Sequence, residues 1–291
     1  MKMEKLKISG KIKINYRYLI IIPVCLLIFS IGVLVNQYLT TGDWFIKSIE
    51  LRGGVLVTID SVERIDVKTV ENSLSKFGKV SVRETRSVKG YGLVIGMPPE
   101  TNTTDVINQL KGIGINEDWI SIQTIGPSLG SSFWTQAQIA IVAAFILMSI
   151  VVFLMFRIPI PSLAVILCAF SDIISTFAFM QIFGIELSLA SLAAILMIIG
   201  YSVDTDIMAT AKLLKQSGEL VEKLKGAIKT GLTMTLTSIG ALVALLVSYI
   251  SPVLSKIATV LIIGLTMDII YTWLQNAVIL RWYLEKKGEK C

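Results

Sequence analysis

Four aspartates stand in stretches that are otherwise apolar: Asp172, Asp204, Asp206 and Asp268. A carboxylate is costly to hold as an anion inside a membrane. An acid at that depth is therefore protonated or paired, and it faces a bundle interior or a hydrated cavity. Such acids are candidates for binding and releasing protons. The sequence contains no histidine, so imidazole can serve neither as relay, general base nor metal ligand. Any proton chemistry falls to carboxylates, lysine, hydroxyls or water.

The elements that must hold these acids are membrane helices. Of the 291 residues 54% are hydrophobic, and the mean hydropathy is +0.73, whereas soluble domains sit nearer about 45–50% apolar. The apolar excess lies on either side of a polar stretch running from about Thr40 to Ser132. Six segments are long enough to span a bilayer core: 18–38, 135–156, 159–183, 187–208, 227–250 and 253–283. The net charge of +6 is gathered in short basic segments beside these runs, a pattern of membrane topology rather than of nucleic-acid binding. With all six segments spanning, every basic cluster falls on one side, which predicts cytoplasmic termini. The chain then divides into a cytoplasmic basic N-terminus (1–17), a first helix (18–38), an extracytoplasmic domain (39–134), five further helices (135–283) and a cytoplasmic C-terminus (284–291). The first run is about 20 residues long and lacks a small-residue cleavage site, so a retained helix is expected.

Within the polar stretch the pattern is strand, helix, strand, strand, helix, strand. LRGGVLVTID (51–60) alternates and is β-branched, DVKTVENSLSKFG (66–78) opens on an Asp cap, and Lys89-Gly90 separates two strand-like runs. TNTTDVINQLKGIG (101–114) and WISIQTIG (119–126) complete a βαββαβ order, the ferredoxin-like split unit. Gly53-Gly54 reads locally as a bulge or a close backbone approach. There is no phosphate-binding GxxxxGKS/T loop, no GxGxxG after a strand, and no HExxH. Cys25 and Cys168 lie in apolar runs and Cys291 is the last residue, which gives neither a pairing pattern nor metal spacing. Neither metal nor cofactor is expected.

Helical rise of about 1.5 Å per residue converts position into depth. Asp172 lies roughly 20 Å beyond Pro159, near the midplane, and Asp268 is similarly deep beyond Val253. Asp204, and Asp206 beyond it, come near the cytoplasmic boundary, where acids can simply meet headgroups or pair with Lys212 or Lys229. At about 100° per residue Asp204 and Asp206 point some 160° apart, so at most one belongs to a functional cluster. Asp204, sharing a face with Gly200 and Met208, is the favoured one. In the fifth helix Thr230, Thr233 and Thr237 recur at helical spacing as a hydroxyl stripe, suited to interhelical hydrogen bonding or to lining a hydrated path. Lys229 is near enough to the helix end to snorkel.

Several segments together resemble the SecF branch of the SecD/SecF protein-export family. They are LRGG (51–54) with Gly53 and Gly54, SDIISTFAF (171–179), GYSVDTD (200–206) with Gly200, Tyr201, Ser202 and Asp206, and AIKTGLTMTLTS (227–238). In that last segment Lys229 stands where many relatives have Arg, which keeps the charge but removes the planar fork. The resemblance implies a six-helix bundle of the resistance-nodulation-division half-transporter type with a small external domain. It implies an accessory subunit that works with a SecD-like partner at a SecYEG-type channel, in the lipid bilayer of the cell membrane, on exported polypeptide chains. The proton gradient rather than ATP would drive it, with Asp172 as the proton-responsive carboxylate and Asp204, Lys229, Thr233 and Asp268 around it. No enzyme activity is expected. Alternatives are half of a proton-coupled small-molecule exporter, a scaffold without ion coupling, or an intramembrane aspartyl enzyme, which needs two acids face to face.

Overall fold

The computed structural model describes residues 16–61, 65–78, 80–87, 90–248 and 251–287. The basic segment 1–15, Lys89 of the hairpin, positions 249–250 and the C-terminal 288–291 lie outside the described residues.

Helix α1 (Ile21–Thr41) follows a 3-10 turn at Tyr16–Ile20 and ends where Gly42 takes a left-handed conformation (φ 77°). The chain then passes Ile46, whose carbonyl accepts from Leu187 N at 2.7 Å, while Ser48 N donates to the Leu187 carbonyl at 2.8 Å. A helical turn, α2 (Ile49–Arg52), leads into the small domain, built as β1 (Gly54–Ser61), α3 (Val67–Leu74), β2 (Ser81–Ser87), β3 (Gly90–Met97), α4 (Thr103–Gly112) and β4 (Ile120–Ile125). Local chemistry sets its helix starts: Asp66 caps α3 by accepting from Lys68 N and Thr69 N, and Asn102 caps α4 by accepting from Thr104 N.

The four strands are antiparallel in the order β2-β3-β1-β4, with Val55 opposite both Met97 and Thr124. Strand periodicity sends Val55, Val57 and Ile59 to one face, where they bury against Leu93, Ile95, Val70, Leu74, Val106 and Leu110. Leu56, Thr58, Val94 and Gln123 point the other way, toward the helical bundle.

Helix α5 (Pro127–Phe156) then begins the bundle, followed by α6 (Pro159–Ile182), α7 (Leu189–Lys215), α8 (Leu220–Ser248) and α9 (Pro252–Tyr271). A π-helical turn at Thr272–Asn276 carries α9 into α10 (Ala277–Lys287). Proline at the first turn starts α5, α6 and α9, where its missing N–H costs nothing. Ser188 and Ser191 form a reciprocal capping box at the start of α7. Among the described residues six helices are long and apolar enough to cross a membrane, and the chain is a multi-pass membrane protein. Toward the domain-side end the bundle is filled by an apolar cluster that includes Phe177, Met180, Leu192, Ile195, Ile198 and Leu261.

Several bounds differ from the sequence reading: α7 runs on to Lys215 rather than 208 and α8 starts at Leu220 rather than 227, and two further shifts have a local cause. The strand expected from 51 begins at Gly54, because Ile49–Arg52 close a helical turn in which Gly53 N donates to the Ile49 carbonyl at 2.8 Å. The second long helix begins at Pro127 rather than 135; its polar first turns are held by Ser131 and Thr135 donating to the Ser128 and Ser131 carbonyls.

The glycine pair marks a backbone crossing. Gly53 has φ 81°, and a Cβ there would lie 2.7 Å from Pro127 Cα; a Cβ on Gly130 would lie 2.6 Å from Gly53 N. Only hydrogens fit where the entry to the domain crosses the start of α5.

A buried carboxyl cluster at the heart of the bundle

Helices α6, α7 and α9 converge in mid-bundle and bring together three acids, Asp172, Asp206 and Asp268, each 0% exposed. Helical spacing explains who attends them. On α7, Ser202, Asp206 and Thr210 recur every four residues and are all buried. Along the last membrane helix Asp268, Thr272, Gln275 and Asn276 fall on one face.

The hydroxyl of Ser202 donates to Asp172 Oδ2 in a short hydrogen bond. Asn276 Nδ2 donates to Asp206 Oδ1 at 2.8 Å. Thr272 Oγ1 lies 3.0 Å from Asp206 Oδ1 and 3.0 Å from Asp268 Oδ1. A hydroxyl carries a single hydrogen, so Thr272 donates fully to only one of these oxygens or shares its hydrogen between them; a proton held by one carboxyl would make both contacts full hydrogen bonds. The simplest arrangement runs from Asp268 to Thr272 to Asp206, since Asp206 Oδ1 already accepts from Asn276. Asp172 Oδ1, Asp206 Oδ2, Asp268 Oδ2 and Asn276 Oδ1 are buried without a hydrogen-bond partner among the described residues. Three carboxyls buried with unpaired oxygens cannot all be ionised without a large desolvation cost.

The polar network continues beyond the acids. Tyr271 OH lies 2.6 Å from Ser175 Oγ, which lies 3.0 Å from Ser30 Oγ in α1. On the other side Asn276 Nδ2 donates to Thr210 Oγ1 at 3.5 Å, and Gln275 Nε2 to Ser171 Oγ at 3.4 Å. Cys168 Sγ and one oxygen each of Asp172 and Asp206 lie within 4.8 Å of one another. That is a three-donor set of the kind that can hold a cation, although Asp172 Oδ2 and Asp206 Oδ1 already accept from protein donors.

The other sequence candidates are distributed differently. Asp204 is exposed and stands outside the cluster, with Asp206 in the place expected for it. The 160° separation that limited the cluster to one of the pair also selects Asp206, because the Ser202–Asp206–Thr210 face is the one that packs inward. Tyr201 (45% exposed) and Gly200 share the outer face with Asp204. Lys229 and Thr233 are exposed too, on α8. The threonine stripe is satisfied locally: Thr233 donates to the Lys229 carbonyl at 2.7 Å and Thr237 to the Thr233 carbonyl at 2.6 Å. Lys212, not Lys229, reaches the stripe, donating to Thr230 Oγ1 at 2.6 Å. Gly53 and Gly54 lie at the domain crossing, away from the acids.

Thr272, Asn276, Thr210 and Cys168 were not singled out from sequence. The four-residue repeats 202/206/210 and 268/272/276 carried the signal, as polar stripes in apolar helices.

A six-helix bundle around a buried carboxyl cluster, with a ferredoxin-like domain inserted after the first helix, defines a multi-pass helical membrane protein carrying one small α+β domain. The model of the family described as "Protein export membrane protein SecD/SecF, C-terminal" matches residues 105–286. The protein-export membrane protein SecF of Methanolacinia petrolearia is 38% identical over 276 residues, covering 94% of this chain and 95% of its own. That of Methanocaldococcus jannaschii is 41% identical over 287 residues, covering 95% and 98%. The chain belongs to the SecD/SecF family of protein-export membrane proteins. In fold it is similar to the crystal structure of SecDF, a translocon-associated membrane protein from Thermus thermophilus, with a TM-score of 0.72 at 20% identity; the match covers 93% of this chain and 38% of that one. A second SecDF structure, in a super-membrane-facing form, gives 0.62 at 21% identity, covering 99% and 40%.

Proposed function

We propose that the chain is an accessory subunit of the Sec translocase that promotes export of preproteins, together with a SecD-like partner and a SecYEG-type channel. The proton gradient drives it, and the carboxyl cluster is where protons act. The observation that carries this reading is the single Thr272 hydroxyl shared between Asp206 and Asp268, since a proton held among the three buried acids would complete both contacts. Gain or loss of that proton changes which helices are tied together. Asp268 bonds α9 to α7 through Thr272, and Asp172 bonds α6 to α7 through Ser202, so a change in protonation acts directly on helix packing.

The partner is supported by the outer face. Asp204, Tyr201, Lys229 and Thr233 are exposed on membrane helices, and charged groups at membrane depth are costly against lipid. A second subunit packed on α7 and α8 would cover them. Basic residues at the end of the bundle away from the domain (Arg157, Lys212, Lys215, Lys225, Lys286 and Lys287) support cytoplasmic termini in the cell membrane, with the domain outside.

The test is preprotein export into membrane vesicles energised by a proton gradient. Asp206→Asn should lose the gradient-dependent part of export while still co-purifying with the SecD-like partner. Undiminished gradient stimulation in that variant would sink the assignment.

A further inference from the structure

The sheet of the small domain buries one face against its own helices and turns the other toward the bundle. Between that second face and the helix ends lies a cleft of about 320 Å³. Its roof is Leu56, Thr58, Val94 and Gln123 of the sheet; its floor is the first turns of α7 and α9, with Ser188, Ala190, Pro252 and Val253. The floor is formed by the first turns of two helices long and apolar enough to cross a membrane, which sets the cleft beside the start of those spans.

Five charged side chains line it: Glu50, Arg52, Arg83, Glu186 and Lys256. Both acids are occupied. Glu186 Oε1 accepts from Arg83 at 2.9 Å, and Glu50 Oε2 accepts from Leu189 N at 2.8 Å. The Arg52 and Lys256 side chains make no hydrogen bond or close ion pair with the described residues, although Glu186 and Glu50 attract the Lys256 ammonium through space. Lys256 sits four residues into α9, about 6 Å below its start, where a cation facing hydrocarbon alone would be expensive. The cleft therefore sets three cations against two acids, under a roof of two apolar and two polar side chains and beside an apolar sill formed by Pro252 and Val253, the latter 57% exposed.

We infer that this cleft seats the headgroup of a monoanionic phospholipid, with the phosphate taken by Lys256 and Arg52 and the acyl chains leaving past Pro252 and Val253. Guanidinium and ammonium groups are the usual phosphate partners, one as a planar fork and one as a point charge. A lipid is favoured over a soluble anion because the sill lets the chains stay in the bilayer while the phosphate reaches Lys256. The volume lies at the small end of ligand sites, about 300–1,000 Å³, enough for a headgroup and glycerol. This site lies apart from the carboxyl cluster and does not depend on proton coupling.

The test uses the full chain in neutral detergent, with native mass spectrometry counting bound phosphatidylglycerol against phosphatidylcholine of the same acyl chains. One phosphatidylglycerol should be retained per chain, and the double variant Arg52→Gln/Lys256→Gln should bind it at least about tenfold more weakly, as expected for lost charge-assisted hydrogen bonds. Lys68→Gln, on an exposed helix of the same domain, should leave binding unchanged, and Lys256→Arg should retain it. Thermal unfolding without lipid separates folding from binding: the double variant should unfold like wild type and lose only the lipid-induced shift. If it does not fold, the single variants carry the same comparison. Equal retention of phosphatidylcholine, unchanged affinity in the variants, or displacement by inorganic phosphate or an acidic peptide at matching concentration would overturn the assignment.

Discussion

The Ser202 hydroxyl of α7 donates to Oδ2 of Asp172 on α6, joining two helices across 30 residues of sequence. Asp172 Oδ1 has no partner among the described residues, so this bond is the carboxyl's whole side-chain support. Ser202→Ala should leave the buried acid unsatisfied, costing about 1–3 kcal/mol, read as a lower unfolding midpoint in detergent. Asp172→Asn combined with Ser202→Ala should recover part of that loss, because the neutral amide is cheaper to leave buried.

Asp204 and Asp206 should separate cleanly. Asp206→Asn is expected to remove proton-gradient stimulation of export with the partner still bound. Asp204→Asn is expected to keep the stimulation per assembled complex but to weaken co-purification with the SecD-like partner. Paired measurement of both variants checks the assignment of inner and outer faces, and an exchange of the two phenotypes would refute it.

Gly264 lets α9 lie close against α7: a Cβ there would come within 2.3 Å of Ile198 Cδ1. Gly264→Ala should therefore overpack the bundle, costing about 1–3 kcal/mol. Ile198→Ala should relieve much of it in the double variant, a coupling that a thermodynamic cycle would measure. Gly130→Ala should be less forgiving, since its Cβ would meet the backbone of Arg52 and Gly53, which no side-chain truncation can clear.

Asp66 gives the small domain a pH-sensitive cap. The Thr69 hydroxyl, donating to Asp66 Oδ2 at 2.8 Å, together with the Lys68 and Thr69 backbone N–H groups, holds the carboxyl below its usual value of 3.8. A group with a lowered folded pKa stabilises above its unfolded pKa and loses that contribution as pH falls through the folded value. Helix α3 should accordingly fray below about pH 4, seen as faster amide exchange at Val70 and Glu71. Asp66→Asn should remove that pH dependence while keeping a cap.

The architecture was legible because membrane helices and the βαββαβ domain are written in long, strong patterns: apolar runs, Asp66 and Asn102 caps, and Gly and Pro at the ends. The carboxyl cluster was half legible. Depth along a helix singled out Asp172 and Asp268, but depth carries no azimuth. The boundary depth applies to Asp204 and Asp206 alike, and the face shared with Gly200 favours Asp204, whereas α7 runs on to Lys215 and holds Asp206 inside the bundle. Its azimuth was readable from Ser202 and Thr210, one turn either way. Which face of α7 turns inward is decided by α6 and α9, whose packing no single stretch of sequence states.

The crossing of Gly53 over Pro127 and Gly130 has one more consequence. The chain enters the small domain at Gly53 and leaves it at Gly126, and Gly54 pairs with Ile125 just beyond. Entry and exit thus share one doorway, so the domain is a cassette plugged into a single socket on the helical frame. A cassette of that kind can be enlarged, trimmed or exchanged without threading new backbone among the helices. The frame then keeps its carboxyl cluster while the cassette outside changes.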